Sequence, residues 1–334
     1  MKPRVGIVLG DPCGIGPELA AKLLADAENR DRADILVIGD HRILQEGAAV
    51  AGCSIDVASV NTFEDANFED GVPVVLNNLP LDPETVRVGH TSQTTGQWQL
   101  DCLSAALRLA SDGRIDGFCF APLNKEAMHL GGLTHEDELG FFVEELGHRG
   151  PTGILNTLGD LWTSRVTSHV PHKAVSEIIT RDTVVEAIRI ADSGLRLAGY
   201  DAPRLAVAGL NPHAGDGGNF GQEEIDVIAP AVEVGRAEGI SVDGPFPADT
   251  IFLKARNKEY DAIVTMYHDQ GQVAMKLLGF DHGVSVHAGI PFPITTPAHG
   301  SAFDIAGENK ANPAALRAAF TLLCRMAESA KKAA

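Results

Sequence analysis

The chain has 334 residues, with 44% hydrophobic and 22% charged residues, enough to bury a large core of ordinary globular composition. A formal net charge of -18 argues against nucleic acid and anionic membrane surfaces as partners, since both are held by clustered Lys and Arg. The five cysteines form no CxxC pair and are odd in number, and no stretch of about 18 apolar residues occurs, so a cytoplasmic protein with reduced thiols and no membrane span is expected.

In chain order, short β-branched runs alternate with Ala-, Leu- and Glu-rich stretches. The N-terminal MKPRVGIVLGDP has too short an apolar run for a signal peptide, and Asp11-Pro12 interrupts it. VGIVLG, DILVIGD, GVPVVLN, DGFCFAP, LAVAGLNP, DAIVTMYH and GVSVHAG read as buried strands. PELAAKLLADAENR, QLDCLSAALRLASDG, EEIDVIAPAVEVGRAEG and PAALRAAFTLLCRMAESAKKA read as helices. The first has Pro17 and Glu18 in its opening turn, where both are favoured. The alternation predicts an α/β protein with a largely parallel sheet. No composition shift marks a linker, and glycine- and histidine-rich motifs fall in both halves, so two domains with a cleft between them are expected.

The stretch GDPCGIGPE, residues 10–18, follows the first predicted strand and raises the question of a phosphate loop. It lacks the GK[ST] ending of a nucleotide-hydrolase loop and departs from GxGxxG, with Asp40 only a loose candidate for the ribose-binding acid. On spacing alone, a structural turn is the better reading. Three histidines lie in polar contexts after predicted strands: His169 in TSHVPH, His213 in NPHAGDGG and His268 in MYHDQG. Each alone reads as a hydrogen-bonded structural histidine, and His172 rivals His169 on spacing. Lys125 in PLNKEA is either a surface cation or a proton relay and carboxylate partner.

GDPCGIGPE, GHTSQT (89–94), APLNKEA (121–127), GLNPHAGDGGNFGQEEIDVIAPA (209–231), GPFPADTIF (244–252), YDAIVTMYHDQG (260–271) and HGSAFDIAG (299–307) together resemble the 4-hydroxythreonine-4-phosphate dehydrogenase family, nearly end to end and in order. The resemblance implies an isocitrate/isopropylmalate dehydrogenase-like fold. One α/β domain of residues 1–124 plus 275–334 would lie on the cofactor side, and a second, 125–274, would carry metal, substrate and dimer contacts. HGSAFDIAGENKANP (299–313) is similar to the adenine-binding segment of isopropylmalate dehydrogenases. On that pattern His299, Gly300, Ala302, Asp304, Ile305 and Asn312 are the cofactor residues. NAD is favoured over NADP, because HGSAFDIAG holds no Arg or Lys to meet a 2′-phosphate.

The resemblance further implies a homodimer with a shared site. There His169, His213 and His268 bind one divalent metal, one of the three coming from the partner subunit. Three imidazoles suit Zn²⁺, Co²⁺ or Ni²⁺ and leave open positions for a chelating substrate, with Mg²⁺ a further option. Lys125, Asp249 and Asp269 are the catalytic candidates, the two aspartates as acceptors that orient imidazoles or, more plainly, as turn and cap residues. The substrate is a small hydroxy acid, and the implied reaction oxidises an alcohol β to a carboxylate, followed by decarboxylation.

The sequence departs from its family at the substrate phosphate. Lys276 is kept, but the family's asparagine is Ser285 and its arginine is Ile294. The usual GHTE segment reads LTHEDELGFF, with His135, Glu136 and Asp137. Loss of a guanidinium partner removes a charge-assisted bond worth about 1.5–3 kcal/mol. The sequence therefore favours a catabolic relative acting on a non-phosphorylated acid such as a terephthalate-type cis-dihydrodiol. The alternatives are the biosynthetic reaction on 4-hydroxythreonine 4-phosphate, or oxidation of a four-carbon sugar acid phosphate. From other classes stand a non-catalytic binding protein and a phosphotransferase using GDPCGIGPE.

Overall fold

The computed structural model describes residues 2–333, apart from the side chains of Phe280 and Ala333. It divides into two compact units, Met1–Arg149 with Ile290–Ala334 (unit 1) and Gly150–Gly289 (unit 2). These limits differ from the expected 124/125 and 274/275. The helix that Lys125 opens packs on a unit 1 helix, and the His268 helix continues through 275 within unit 2.

Through residue 149 run, in order, β1 (Arg4–Val8), α1 (Gly16–Ala25), α2 (Ala27–Arg32), β2 (Asp34–Ile38), α3 (His41–Ala51), β3 (Ala58–Val60), β4 (Val74–Leu76), α4 (Gln93–Ser111), β5 (Phe118–Phe120), α5 (Lys125–Leu130) and α6 (Glu138–Glu145). Unit 2 follows with β6 (Gly153–Leu158), β7 (Leu161–Arg165), α7 (Val175–Ile178), α8 (Arg181–Leu197), β8 (Arg204–Ala208), α9 (Ala229–Ala237), β9 (Ser241–Phe246), α10 (Ala248–Arg256), β10 (Ala262–Thr265), α11 (His268–Gly279) and β11 (Val284–Ala288). The chain returns to unit 1 with β12 (Ile294–Pro297) and α12 (Ala314–Ala333).

In unit 1 the strand order is β3-β4-β2-β1-β5-β12, and the paired strands run parallel, with Ile7 opposite both Val37 and Cys119 and Ile294 opposite Phe118. Strands covered on both faces read as continuous apolar runs, which is why VGIVL and ILVI were legible. The core centres on Phe118, Phe120 and Phe142, Phe142 standing edge-on to each of the others at about 6 Å. In unit 2 the order is β11-β6-β7-β10-β8-β9, with β11–β6 and β6–β7 antiparallel and β7-β10-β8-β9 parallel. Trp162 and Val207 are fully buried there, beside the long amphipathic α8, whose start is fixed by a Thr180–Thr183 capping box.

All seven predicted strands occur. β3, β6, β7, β9 and β12 were not anticipated. Of the predicted helices, one is broken and one is widened by a π-turn. Asp26 leaves the helical region and caps α2 by accepting the Glu28 N–H, and a π-helical turn, Glu224–Ile228, precedes α9. Among the described residues no helix is long and apolar enough to cross a membrane.

One contact sets where Lys125 lies. A Cβ on Gly96 of α4 would stand 1.7 Å from the Ala127 carbonyl oxygen of α5. Gly96→Ala is therefore expected to lower stability by about 2–3 kcal/mol, because backbone rather than a flexible side chain must yield. Urea unfolding checks this, with Gly113→Ala, in open space but at positive φ, as the milder control.

Candidate active site

Within unit 2, β7 and β10 lie side by side and parallel, with Arg165 opposite Thr265. Beyond the strands the pairing continues: the Val166 N–H donates to the Thr265 carbonyl (2.9 Å) and the Thr167 N–H to that of Met266 (3.1 Å). Two neighbouring strands thus deliver His169 and His268 at their carboxyl ends, the usual ligand side of a parallel sheet, with ring centroids 5.7 Å apart. His268 opens α11, and its Nδ1 lies 2.7 Å from Asp269 Oδ1. An ionised carboxylate only accepts, so Nδ1 carries the proton and the Nε2 lone pair is left for a ligand. Gln270 fixes this turn by accepting the Met266 N–H (2.7 Å) and donating to the Gly209 carbonyl (2.8 Å). The rival His172 stacks edge-on to Tyr267 at 5.1 Å.

His213 follows β8, the neighbour of β10 on its other side. Its loop curls through left-handed backbone, with φ of 55° at His213, and its ring stands 6.1 Å from Phe220. Among the described residues no group of three or more His, Cys, Asp or Glu is gathered for a metal. One chain thus brings together His169 and His268, but not His213. Asp249 is exposed in the first turn of α10, and it is Asp269 that bonds an imidazole.

On the same unit, Lys276 lies exposed two turns along α11 from His268. One turn before it, Gln272 Nε2 donates to Asn156 Oδ1 (2.6 Å), which also accepts from Arg165 Nη1 (2.9 Å). Asn156 Nδ2 in turn donates to Ser285 Oγ (2.9 Å), and Arg165 Nε to Ser168 Oγ (3.1 Å). Ser285 is thus part of a polar network that includes a guanidinium. Sequence reasoning missed Asn156, Arg165 and Gln272, whose only signal was polar residues at strand and helix positions otherwise apolar.

Unit 1 gathers a second set of motifs, since β1, β5 and β12 are adjacent and parallel and their carboxyl ends lead into GDPCGIGPE, APLNKEA and HGSAFDIAG. The opening stretch is a close-packed turn. A Cβ on Gly10 would lie 2.5 Å from the Ala121 carbonyl oxygen, and one on Gly14 would lie 2.7 Å from Ser301. The Asp11 N–H donates to Pro122 O (2.9 Å), the Ile15 N–H to Ser301 O (3.0 Å), and the Gly89 N–H to Cys13 O (2.9 Å). Glu18 accepts from the Ala311 N–H (3.0 Å) and from Lys22, which also bonds the Ala311 carbonyl. The turn therefore braces both ends of the 299–312 segment and the loop before Lys125.

In that segment His299 and Ile305 are half-buried, Gly300 and Asp304 exposed, and Ala302 holds a positive φ of 43°. Asn312 Oδ1 accepts the Ala314 N–H at the start of α12, a cap role. Lys125 opens α5, capped by Asn124, with its Nζ 4.0 Å from Glu138. His135 bonds Glu144 (2.6 Å), Glu136 is exposed, and Asp137 caps α6. Ile294 is fully buried in the unit 1 core and offers no surface to a substrate.

Asp11 is fully buried, with Oδ1 accepting the Cys13 N–H (2.9 Å). Burial pushes its carboxyl from 3.8 up to about 6, partly offset by the Cys13 N–H and the neighbouring Asn124 amide. The folded state therefore holds this proton more tightly than the unfolded chain. Its contribution to stability is present at low pH and is lost as pH rises through about 6. In Asp11→Asn that loss, on the order of 3 kcal/mol between about pH 4 and 7, should vanish. Urea midpoints for both proteins across that range check it, and parallel curves would refute it.

Residues 31–323 match the family described as pyridoxal phosphate biosynthetic protein PdxA. A Pseudomonas aeruginosa protein provisionally named 4-hydroxythreonine-4-phosphate dehydrogenase 2 is 49% identical over 326 residues, covering 97% of each chain. The crystal structure of 4-hydroxythreonine-4-phosphate dehydrogenase from Klebsiella pneumoniae superposes with a TM-score of 0.85 at 34% identity, covering 98% of this chain and 100% of that one. A terephthalate 1,2-cis-dihydrodiol dehydrogenase from Burkholderia xenovorans LB400 gives 0.69 at 30%, covering 97% and 98%. With its motifs in order along nearly the whole length and its strands folded as in these relatives, the chain belongs to the PdxA family.

Proposed function

We propose that this protein is a nicotinamide-dependent dehydrogenase that oxidises a phosphorylated hydroxy acid of the 4-hydroxythreonine 4-phosphate or threonate 4-phosphate kind. The observation that carries the reading is the His169–His268 pair oriented by Asp269, on the unit that also holds Lys276 and the Arg165–Asn156–Ser285 network. The names of the relatives favour a phosphorylated substrate over the non-phosphorylated diol acid that Ser285 and Ile294 suggested. Arg165 gives a physical reason. Although Ile294 lies sealed in unit 1, a guanidinium stands in the same network as Ser285, so an anion there would still meet positive charge.

The donor set fits half of a divalent metal site. His169 and His268 would hold the cation from one chain and the partner subunit's His213 would complete it. Exposed Val170, Phe220, Ile225, Val273 and Leu277 flank the histidines, and their apolar surface supports a homodimer burying that face. When bound, the cation would supply Lewis acidity toward the substrate oxygens and the nicotinamide a hydride acceptor. The protein's own part is positional. Asp269 keeps the His268 proton on Nδ1, Lys276 offers its ammonium to the anionic end, and Lys125 accepts or returns a proton at Nζ. The dinucleotide would lie on residues 299–312, with NAD favoured over NADP because HGSAFDIAG contains no Arg or Lys. Loss of CO₂ from the resulting β-keto acid completes the proposed reaction. Five free thiols, four of them buried, support a cytoplasmic setting.

The second reading, a diol acid without phosphate, is favoured by Ile294, which removes the family's guanidinium from unit 1. The deciding experiment is nicotinamide reduction by Co²⁺- or Zn²⁺-loaded protein on 4-hydroxythreonine 4-phosphate, D-threonate 4-phosphate and the terephthalate cis-dihydrodiol. Turnover of a phosphate ester is expected. Turnover of the diol acid alone would select the second reading, and no turnover of any with no dinucleotide binding would leave a binding protein. His268→Ala should lower bound metal at least 10-fold, and equal metal content would remove His268 from the ligand set.

A further inference from the structure

The loop that presents His213 is held in a conformation that its own residues disfavour. His213, Ala214, Gly215, Asp216 and Gly217 follow one another with φ of 55°, 52°, 80°, 46° and 66°, a full turn of left-handed helix. Glycine adopts this backbone freely, but His213, Ala214 and Asp216 each bring a Cβ against a carbonyl oxygen. Such a run persists only where surrounding contacts dictate it.

One carboxylate holds the entry to this run, beside the Gln270 amide on the Gly209 carbonyl and Glu223 Oε2, which accepts from Asn211 Nδ2 at 2.7 Å. Glu224 is 3% exposed. Its Oε1 accepts the backbone N–H groups of Leu210 and Asn211, each at 2.7 Å, and its Oε2 accepts Asn211 Nδ2 at 2.9 Å. The fit is close on both sides. A Cβ on Gly209 would come within 3.1 Å of Oε1, and one on Gly215 within 2.7 Å of Oε2. Glu224 also begins the π-helical turn Glu224–Ile228, a widened turn that tends to mark functional positions. A buried charge satisfied by three donors from one loop fixes that loop's exit from β8.

We propose that Glu224 is the positioning residue for His213, clamping residues 209–215 so that the imidazole is preset for a divalent cation. This rests on the reading of His213 as a cation ligand given above. Glu224 touches neither cation nor substrate and acts only through the loop. Glutamine in its place keeps the shape but removes one acceptor and turns an NH₂ group toward the Asn211 donors.

The test uses the full-length protein and Co²⁺ alone as probe, followed by calorimetry and the visible Co²⁺ spectrum. Glu224→Gln should raise the Co²⁺ Kd about 10- to 100-fold and alter the spectrum, with dinucleotide affinity unchanged. Adding Ala214→Gly, which removes one left-handed penalty, should make the Co²⁺ Kd of the double variant recover in part. Unchanged Co²⁺ affinity and spectrum in Glu224→Gln, while His213→Ala loses binding, would overturn the proposal. If His213→Ala binds Co²⁺ as the native protein does, the ligand reading fails instead. The clamp is then judged by amide hydrogen exchange, where faster exchange at 210–217 in Glu224→Gln upholds it as a loop clamp and unchanged exchange refutes it. Should Glu224→Gln not fold, Gly209→Ala, which crowds Oε1 without removing the charge, replaces it and should shift Co²⁺ affinity the same way.

Discussion

The parallel pairing of β7 with β10 is the constraint on which the histidine site depends. Because Arg165 stands opposite Thr265, residues a few positions beyond each strand end at the same height, and the backbone bonds to Thr265 and Met266 carry the pairing past both strands. His169 and His268 become neighbours although they are separated by 99 positions in the chain. A one-residue change of register would displace one imidazole along the pair relative to the other. The Gln270 side chain, bonded to the backbone on both sides, makes the turn into α11 rigid enough to hold His268 and Asp269 together.

Unit 1 applies the same logic with glycines. Its adjacent strands β1, β5 and β12 end side by side, and the loops that leave them must cross at backbone contact distance. Gly10 and Gly14 permit that approach, and bonds from Ile15 and Glu18 then hold the 299–312 segment at Ser301 and Ala311. The turn resembles a phosphate loop because both need backbone without Cβ. Here a buried carboxylate, Asp11, occupies the turn, and its donors are spent on neighbouring chain.

Charge placement separates this chain from the pattern its motifs imply. The positions to which the resemblance assigns an arginine and an asparagine hold Ile294, which is buried in the core, and Ser285, which is bonded to Asn156. Asn156 accepts from both Arg165 and Gln272, so its carbonyl oxygen is fully used, and its amide is directed at Ser285. Unit 2 nevertheless holds polarity and a guanidinium beside Ser285, in the Arg165–Asn156–Ser285 network. Of the carboxylates after His135, Glu136 is exposed, Asp137 caps α6 and Glu138 lies beside Lys125.

Buried parallel strands leave continuous apolar runs, so the sequence by itself determined the α/β class and seven of the strands. Its ordered motifs determined the family, and with it His169, His213 and His268 as candidates. It did not reveal β6, β7 or β12, because NTL, TSR and TTP carry polar residues whose partners lie far away in sequence. Only the tertiary structure decided that two of the three histidines meet within one chain, that Ile294 is core, and that Glu224 accepts from the residues leading into a left-handed loop. Strand and helix signals are local, since they reflect which faces are buried. Register, loop handedness and the partner of a buried charge are set by contacts between residues tens of positions apart, and no local pattern records them.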